Sequence, residues 1–240
     1  MASGRARQIL AEVAGGGVDV ARLPGALVAR CAAALPISGV GLVLMTDVGP
    51  AGTVAASDGP AGALEELQFT LGEGACVDCS RTGRPVLVAD LALEGPRRWP
   101  AFTGEALAVG VAAVFALPLR VGGIRLGVLD LYREVTGALA GPDLAEALAF
   151  ADAATTVLLH LQSHTPEGEA TLDPQAIPVL DDRAQVHQAT GMVSVQAGVS
   201  LASALLLLRA RAFATGRPVT DLARDVLSRL VHFRSDDGSV

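Results

Sequence analysis

Apolar residues recur at helical spacing twice near the start of the chain, first at Ile9, Leu10 and Val13, then at Leu27, Val28, Cys31 and Leu35. This predicts two helices within 5–35, the second ending before Pro36. The period then changes. Residues 39–46, GVGLVLMT, form an apolar run of strand length, and after turn residues Gly49, Pro50 and Gly52 a second strand, TVAAS, is expected at 53–57. A helical stretch follows near 63–69, and 85–89 reads as a short buried strand. Two longer apolar runs, 112–121 and 124–132, are separated only by Gly122 and Gly123, which supply the positive φ that a two-residue hairpin needs. Gly141 and Pro142 open a helix to about residue 162, with Leu144, Leu148, Ala151, Thr155, Leu158 and Leu159 at helical spacing. Residues 5–162 therefore read as an α+β domain, an antiparallel sheet between terminal helices.

Residues 163–180 carry three prolines, the acidic Glu167, Glu169 and Asp173, and no apolar period, which is the pattern of an extended linker. Its negative charge is suited to lying on a basic surface. Beyond it, 181–234 divides by its punctuation into three helices, a small all-α bundle. The first, about 182–196, places Val186, Ala189, Val193 and Ala197 on one face and Arg183, His187, Thr190 and Ser194 on another, and Gly198 stops it. Ser200 is placed to cap the second, whose Ala204, Leu205, Leu208, Ala212 stripe runs to the breakers Gly216 and Pro218. Thr220 is placed to cap the third, with Leu222, Ala223, Val226, Leu227, Leu230 and Val231 inward.

Charge separates the two parts. The chain carries a formal −7, yet 183–234 holds seven arginines against Asp221 and Asp225, a local +5. A basic helical module on an acidic chain suits a polyanion, nucleic acid foremost, and the competing reading is a solvated, dimerising surface. All 18 basic residues are arginine, with neither Lys nor Asn present, a bias that fits codon composition, so the argument rests on the local charge excess.

The run AQVHQATGMVSVQAGVSLASALLLLRARAFATGRPVTDLARDV resembles an ANTAR domain. The resemblance lies in Ala189, Gly191 and Met192, the Gly198, Val199, Ser200 turn, Ala204 with Leu207, Leu208, Arg209 and Ala212, and Ala223 with Asp225 and Val226. It implies the three-helix RNA-binding output module of bacterial transcription antiterminators. The stretches GEGACVDCSRTGRPVLVADL and RWPAFTGEALAVGVAAVFALPLRVGGIRLGVLDLYR, with the element order, resemble a GAF domain. In that family a sheet under a lid of loops and short helices commonly holds a small molecule or transmits a signal, and its regulators commonly pair through flanking helices. ANTAR modules often follow a phosphoacceptor receiver domain. This chain lacks a receiver's acidic cluster and strand order, so control by phosphorylation of such an aspartate is not expected.

Hydrophobic residues make up 51% of the chain, but the apolar charge-free stretch 106–119 falls short of the roughly 18 residues of a membrane span and contains Gly110 and Pro118. No membrane association is expected. The beginning of the chain lacks an apolar leader core, so a cytoplasmic location is expected.

Chemistry that would make an enzyme is sparse. Cys76 and Cys79 form a C-x-x-C, with Cys31 the only other cysteine, and no histidine precedes His160. A zinc site of about four Cys and His ligands has no second pair, so no metal is expected. A C-x-x-C at a helix start suits thiol redox chemistry, and one GAF branch reduces free methionine sulfoxide with cysteines; the alternative is one buried thiol with an incidental neighbour. Haem ligation through histidine, or a bilin on Cys76 or Cys79, lacks supporting residues, and no cofactor is expected. Glu73, Asp78 and Asp90 are scattered over loops, while Asp130 within an apolar strand is either paired or facing a pocket, with Arg81 and Arg84 as candidate partners. Trp99, Phe102, Phe115 and Asp130 are the candidate pocket lining, Trp99, Phe102 and Phe115 alternatively core.

Two readings result. The first is a non-enzymatic regulator whose GAF domain senses and whose bundle binds hairpin loops of nascent transcripts as part of a homodimer. Gln185, Gln188 and Thr190 offer base-edge hydrogen bonds, and Arg183, Arg209, Arg211, Arg217 and Arg224 supply charge, with Arg209 alternatively bracing the bundle. The second is a GAF-fold thiol redox enzyme or sensor, similar to free methionine sulfoxide reductases, with a helical dimerisation tail.

Overall fold

The computed structural model describes residues 3–15, 19–46, 49–57, 59–163 and 178–233. The chain divides into two compact units, Met1–Ala176 and Ile177–Val240. The expected acidic linker lies almost wholly outside the described residues.

In the first unit five antiparallel strands make one sheet, in the order β2 (Gly49–Ala56), β1 (Gly39–Thr46), β5 (Ile124–Arg133), β4 (Ala113–Val121), β3 (Val86–Val88). The hairpin joining β4 and β5 is the one read from the two apolar runs, although only Gly122 of its two glycines takes a positive φ, 59°. β2 begins at Gly49, earlier than expected. Register shifts against β1 accommodate Pro50 and Gly52, so the turn-like residues are absorbed into an irregular strand.

One sheet face is covered by α1 (Gly4–Ala14), α2 (Leu23–Ala34) and α7 (Gly141–Ser163). Ser3 caps α1 by accepting from the Ala6 amide, and Ala6, Ile9 and Val13 are its buried stripe. Arg5 of α1 holds Glu146 of α7 by two nitrogens, Nε at 3.0 Å and Nη2 at 2.6 Å, while Glu12 takes Arg30 of α2 at 2.6 Å. The leucine stripe expected on α7 is displaced. Leu148 and Leu159 are about two-fifths exposed, and the buried face is Ala147, Ala149, Phe150, Ala151, Ala153, Ala154, Val157 and Leu158. Alanines let the helix approach the sheet closely, and a search for large apolar residues passes over them. By length and composition the Gly141–Leu161 span is long and apolar enough to cross a membrane, contrary to the charge-free-run argument; here 44% of its apolar window is buried within the protein.

The opposite face carries four short helices: α3 (Ala61–Leu71), α4 (Ala75–Thr82), α5 (Leu91–Arg98) and α6 (Pro100–Ala108). They enclose a core of Leu64, Cys76, Cys79, Leu91, Trp99, Phe102, Val114, Val128 and Tyr132. Each fully buried large apolar side chain there is worth about 1.5–3 kcal/mol.

The second unit has α8 (Pro178–Ala197), α9 (Leu201–Thr215) and α10 (Val219–Leu227). The first helix starts earlier than expected, with Pro178 at its first position, where the missing N–H costs nothing. Gly198 adopts φ 67°, Ser200 caps α9 by accepting from the Ser203 amide, and the axes of α8 and α9 differ by 103° across that turn. Val186, Ala189, Val193, Ala204, Leu205, Leu208, Ala212, Leu222, Ala223 and Val226 form the core. α10 has Pro218, not Thr220, at its N-cap position, with no side-chain cap, and it ends at Leu227, so Leu230, expected inside, is 76% exposed. Phe233, from the segment after α10, is buried instead.

Candidate functional site

Beneath the short helices lies a cluster of polar groups sealed in the apolar core. α3 presents Glu65 and Gln68, three residues apart, on the same face as its buried Ala61, Leu64 and Phe69. Strand alternation turns Asp130 and Tyr132 of β5 toward them. The Tyr132 hydroxyl donates to Glu65 Oε1 at 2.5 Å and accepts from Gln68 Nε2 at 3.1 Å. Gln68 Oε1 accepts from the Cys76 amide at 2.8 Å, which ties α3, α4 and β5 together.

Small neighbours make the space. Asp130 pairs across the sheet with Gly41 on β1 and Ala116 on β4. A Cβ on Gly41 would lie 2.0 Å from Glu65 Oε1, so the glutamate fits only because position 41 has no side chain. One carboxylate oxygen each from Glu65 and Asp130 and the Cys76 sulfur all lie within 4.8 Å of one another, and all three residues are buried. Burial, then the adjacent Glu65, pushes Asp130 well above the usual carboxylate range. Burial first, then Asp130, raises the Cys76 thiol, and burial with Glu65 raises the Tyr132 hydroxyl.

Several expectations are corrected here. The groups around Asp130 are Glu65, Cys76 and Gln68, with Cys79 and Tyr132 beyond them, not Arg81 or Arg84, and neither of its oxygens has a partner in hydrogen-bond geometry. Trp99 and Phe102 pack edge to face at 6.0 Å and fill the core rather than line a cavity. Phe115 points to the other sheet face, under the guanidinium of Arg133 at 5.6 Å. The residues Trp99, Phe102, Phe115 and Asp130 therefore do not converge on one pocket. A groove of about 840 Å³ does open elsewhere on this unit, lined by Arg84, Arg120, Leu148 and Asp152 among others.

Cys76 and Cys79 are buried free thiols on α4, and burial raises both, the reverse of a redox-active pair. The scattered carboxylates have structural partners. Glu73 accepts from the amides of Ala101 and Phe102 at the start of α6, Asp90 caps α5, and Asp78 accepts from Arg98 and the Trp99 indole.

In the bundle the candidate residues separate by exposure. Gln188, Arg217 and Arg224 are exposed. Arg217 pairs with Asp225 and Arg224 with Asp221, both at 2.8 Å, exposed contacts worth little each. Arg211 is half-buried, donating to the His232 carbonyl at 3.2 Å and covering the Phe233 ring at 5.1 Å, while Gln196 accepts from the Phe233 amide. Arg209 has Nε and Nη2 shielded from solvent, as does Gln185 its Oε1, which fits the bracing alternative for Arg209. Thr190 is corrected outright: it is buried, and its hydroxyl donates to the Val186 carbonyl at 2.7 Å, so it offers nothing to a base. The Arg183 side chain lies outside the described residues.

Sequence reasoning missed Glu65, Gln68, Arg133 and Phe233. The available signal for the first two was a pair of polar residues interrupting the apolar stripe of α3.

A GAF domain family model matches residues 25–158 and an ANTAR domain model matches 179–227. The chain belongs to the GAF family and carries an ANTAR domain after it. A search of curated proteins returns no match. Among solved structures, the first unit is similar to the GAF domain of a phosphoenolpyruvate-protein phosphotransferase from Coxiella burnetii. The identity is 20%, covering 66% of this chain and 93% of that one, with a TM-score of 0.51. The corresponding Acinetobacter domain gives 14% identity, 68% and 95% coverage, and a TM-score of 0.52. A free methionine-R-sulfoxide reductase from Neisseria meningitidis, solved with its substrate, gives 19% identity, 69% and 96% coverage, and a TM-score of 0.49. The two phosphotransferase domains establish the fold, and at these identities no likeness transfers chemistry.

Proposed function

We propose that this protein is an RNA-binding transcription antitermination regulator, a GAF sensor followed by an ANTAR bundle that binds hairpin loops in nascent mRNA. The observation that carries the reading is the ANTAR match over 179–227 on a three-helix bundle that presents exposed arginines. In this reading Gln188 contacts base edges, Arg217 and Arg224 release their carboxylates to meet phosphates, and Arg211 adds charge beside them. Arg183 belongs to the same set by sequence position. Arg209 and Gln185 support the bundle.

The protein acts in the cytoplasm as a homodimer and is not an enzyme. Its GAF domain responds to an input of its own, a small molecule or partner. The thiol-enzyme alternative has little support, because both thiols of the C-x-x-C are buried and raised. Crosslinking followed by recovery of the full chain from cells tests the reading: enrichment of transcripts containing paired hairpins supports it, and recovery of no RNA above background rejects it.

A further inference from the structure

We propose that Glu65, Cys76 and Asp130 form a binding site for one divalent metal ion of the zinc class inside the GAF domain. Three side chains from three elements, α3, α4 and β5, bring a carboxylate oxygen, a sulfur and a second carboxylate oxygen within 4.8 Å of one another. Around a tetrahedral zinc, with bonds of about 2.0–2.3 Å, neighbouring ligand atoms stand roughly 3.5 Å apart, so the group needs to contract by only about 1 Å.

A second observation points to a ligand. Asp130 has 0% exposure, and neither of its carboxyl oxygens has a hydrogen-bond partner. A polar group this buried is costly unless something satisfies it. Among the described residues no arginine or histidine contributes to its surroundings, which are Glu65, Cys76 and Gln68 with Cys79 and Tyr132 beyond them. A cation within reach of both carboxylates and the thiolate satisfies all three, and the thiolate favours zinc-like ions over magnesium or calcium. The supporting shell is present as well. Tyr132 orients Glu65 by hydrogen bond, and Gln68 fixes the start of α4 through the Cys76 amide. A cysteine-and-histidine spacing search misses such a site because its ligands are one cysteine and two distant acids.

The proposal is independent of RNA binding. The test uses the full chain, produced in zinc-supplemented medium and desalted, with bound metal measured by mass spectrometry. About one zinc per chain is expected for the wild type and for Cys31→Ala, which lies on the opposite sheet face, with at least a tenfold loss for Cys76→Ala and Asp130→Asn. Cobalt provides a readout that does not depend on the variants folding. Cobalt-loaded wild type should show a thiolate-to-cobalt charge-transfer band in the near ultraviolet. A wild type that retains less than about a tenth of an equivalent overturns the proposal. So does metal retained in folded Cys76→Ala and Asp130→Asn, or bound cobalt without the thiolate band.

Discussion

The Tyr132 hydroxyl on β5 and the Glu65 carboxylate on α3, 67 residues apart in sequence, meet in a 2.5 Å hydrogen bond sealed inside the domain. Gln68 shares the same hydroxyl, so one oxygen links the sheet to the helix covering it. Tyr132→Phe removes a donor from Glu65 and an acceptor from Gln68, and should lower stability by about 1–3 kcal/mol. Gly41→Ala forces the glutamate aside and should cost at least as much. Urea unfolding followed by circular dichroism measures both, as a lower midpoint at unchanged slope. A midpoint equal to the wild type for Tyr132→Phe would show that the bond contributes nothing.

The cysteines should be inert. Burial pushes Cys31 up to about 12 and raises Cys76 and Cys79 as well, so in the metal-free chain none is a thiolate near neutrality. A thiol-specific chromogenic disulfide should label all three only after denaturation. Peroxide should leave RNA affinity unchanged in the wild type and in Cys79→Ser alike; a reversible, Cys79-dependent loss of affinity would instead make the pair a redox switch.

The surface ion pairs give a pH signature. Hydrogen bonding from Arg30, then the charges of Arg30 and Arg5, holds Glu12 below its ordinary 4.5. A lowered folded-state value means the contribution is present above pH 4.5 and disappears as pH falls through the folded value. Glu12→Gln should therefore melt slightly lower than wild type at pH 7, and the gap should close as the solution is acidified below about pH 4. A gap that widens with acid would contradict the assignment.

How much of this was legible depended on whether the signal was local. The apolar runs of β4 and β5 and the Ser200 cap are written in adjacent residues, and the structure has both. α4, α5 and α6 span only eight or nine residues each, too few for a period to repeat, and Pro96 interrupts α5. The misplacement of Phe115 has a different cause. β4 is buried on both faces, so its sequence does not alternate and nothing local says which way Phe115 points. The meeting of Glu65 with Asp130 is set by strand register and helix docking, and no spacing rule reaches that far. In the bundle, composition points to arginine as the carrier of charge but cannot reveal that Thr190 faces inward.

The dimer expectation now has a specific surface. Leu148 and Leu159 are exposed on α7, eleven residues and about three turns apart on one side of the helix. If α7 pairs two copies of the chain, sedimentation at micromolar concentration should give a dimer for the wild type and a monomer for the doubly substituted Leu148→Glu, Leu159→Glu chain. A monomeric wild type would reject pairing.

Affinity of the full chain for a paired-hairpin RNA, measured against salt concentration, tests the central claim most directly. The wild type should bind the hairpin more tightly than duplex DNA, with affinity falling as salt rises. Arg217→Ala should weaken binding to every RNA and lower the salt slope by about 0.7, the value for one neutralised single-strand phosphate. Gln188→Ala should keep the slope and lose discrimination between loop sequences. A wild-type affinity that ignores salt, or no preference for hairpin RNA over duplex DNA, would contradict the account.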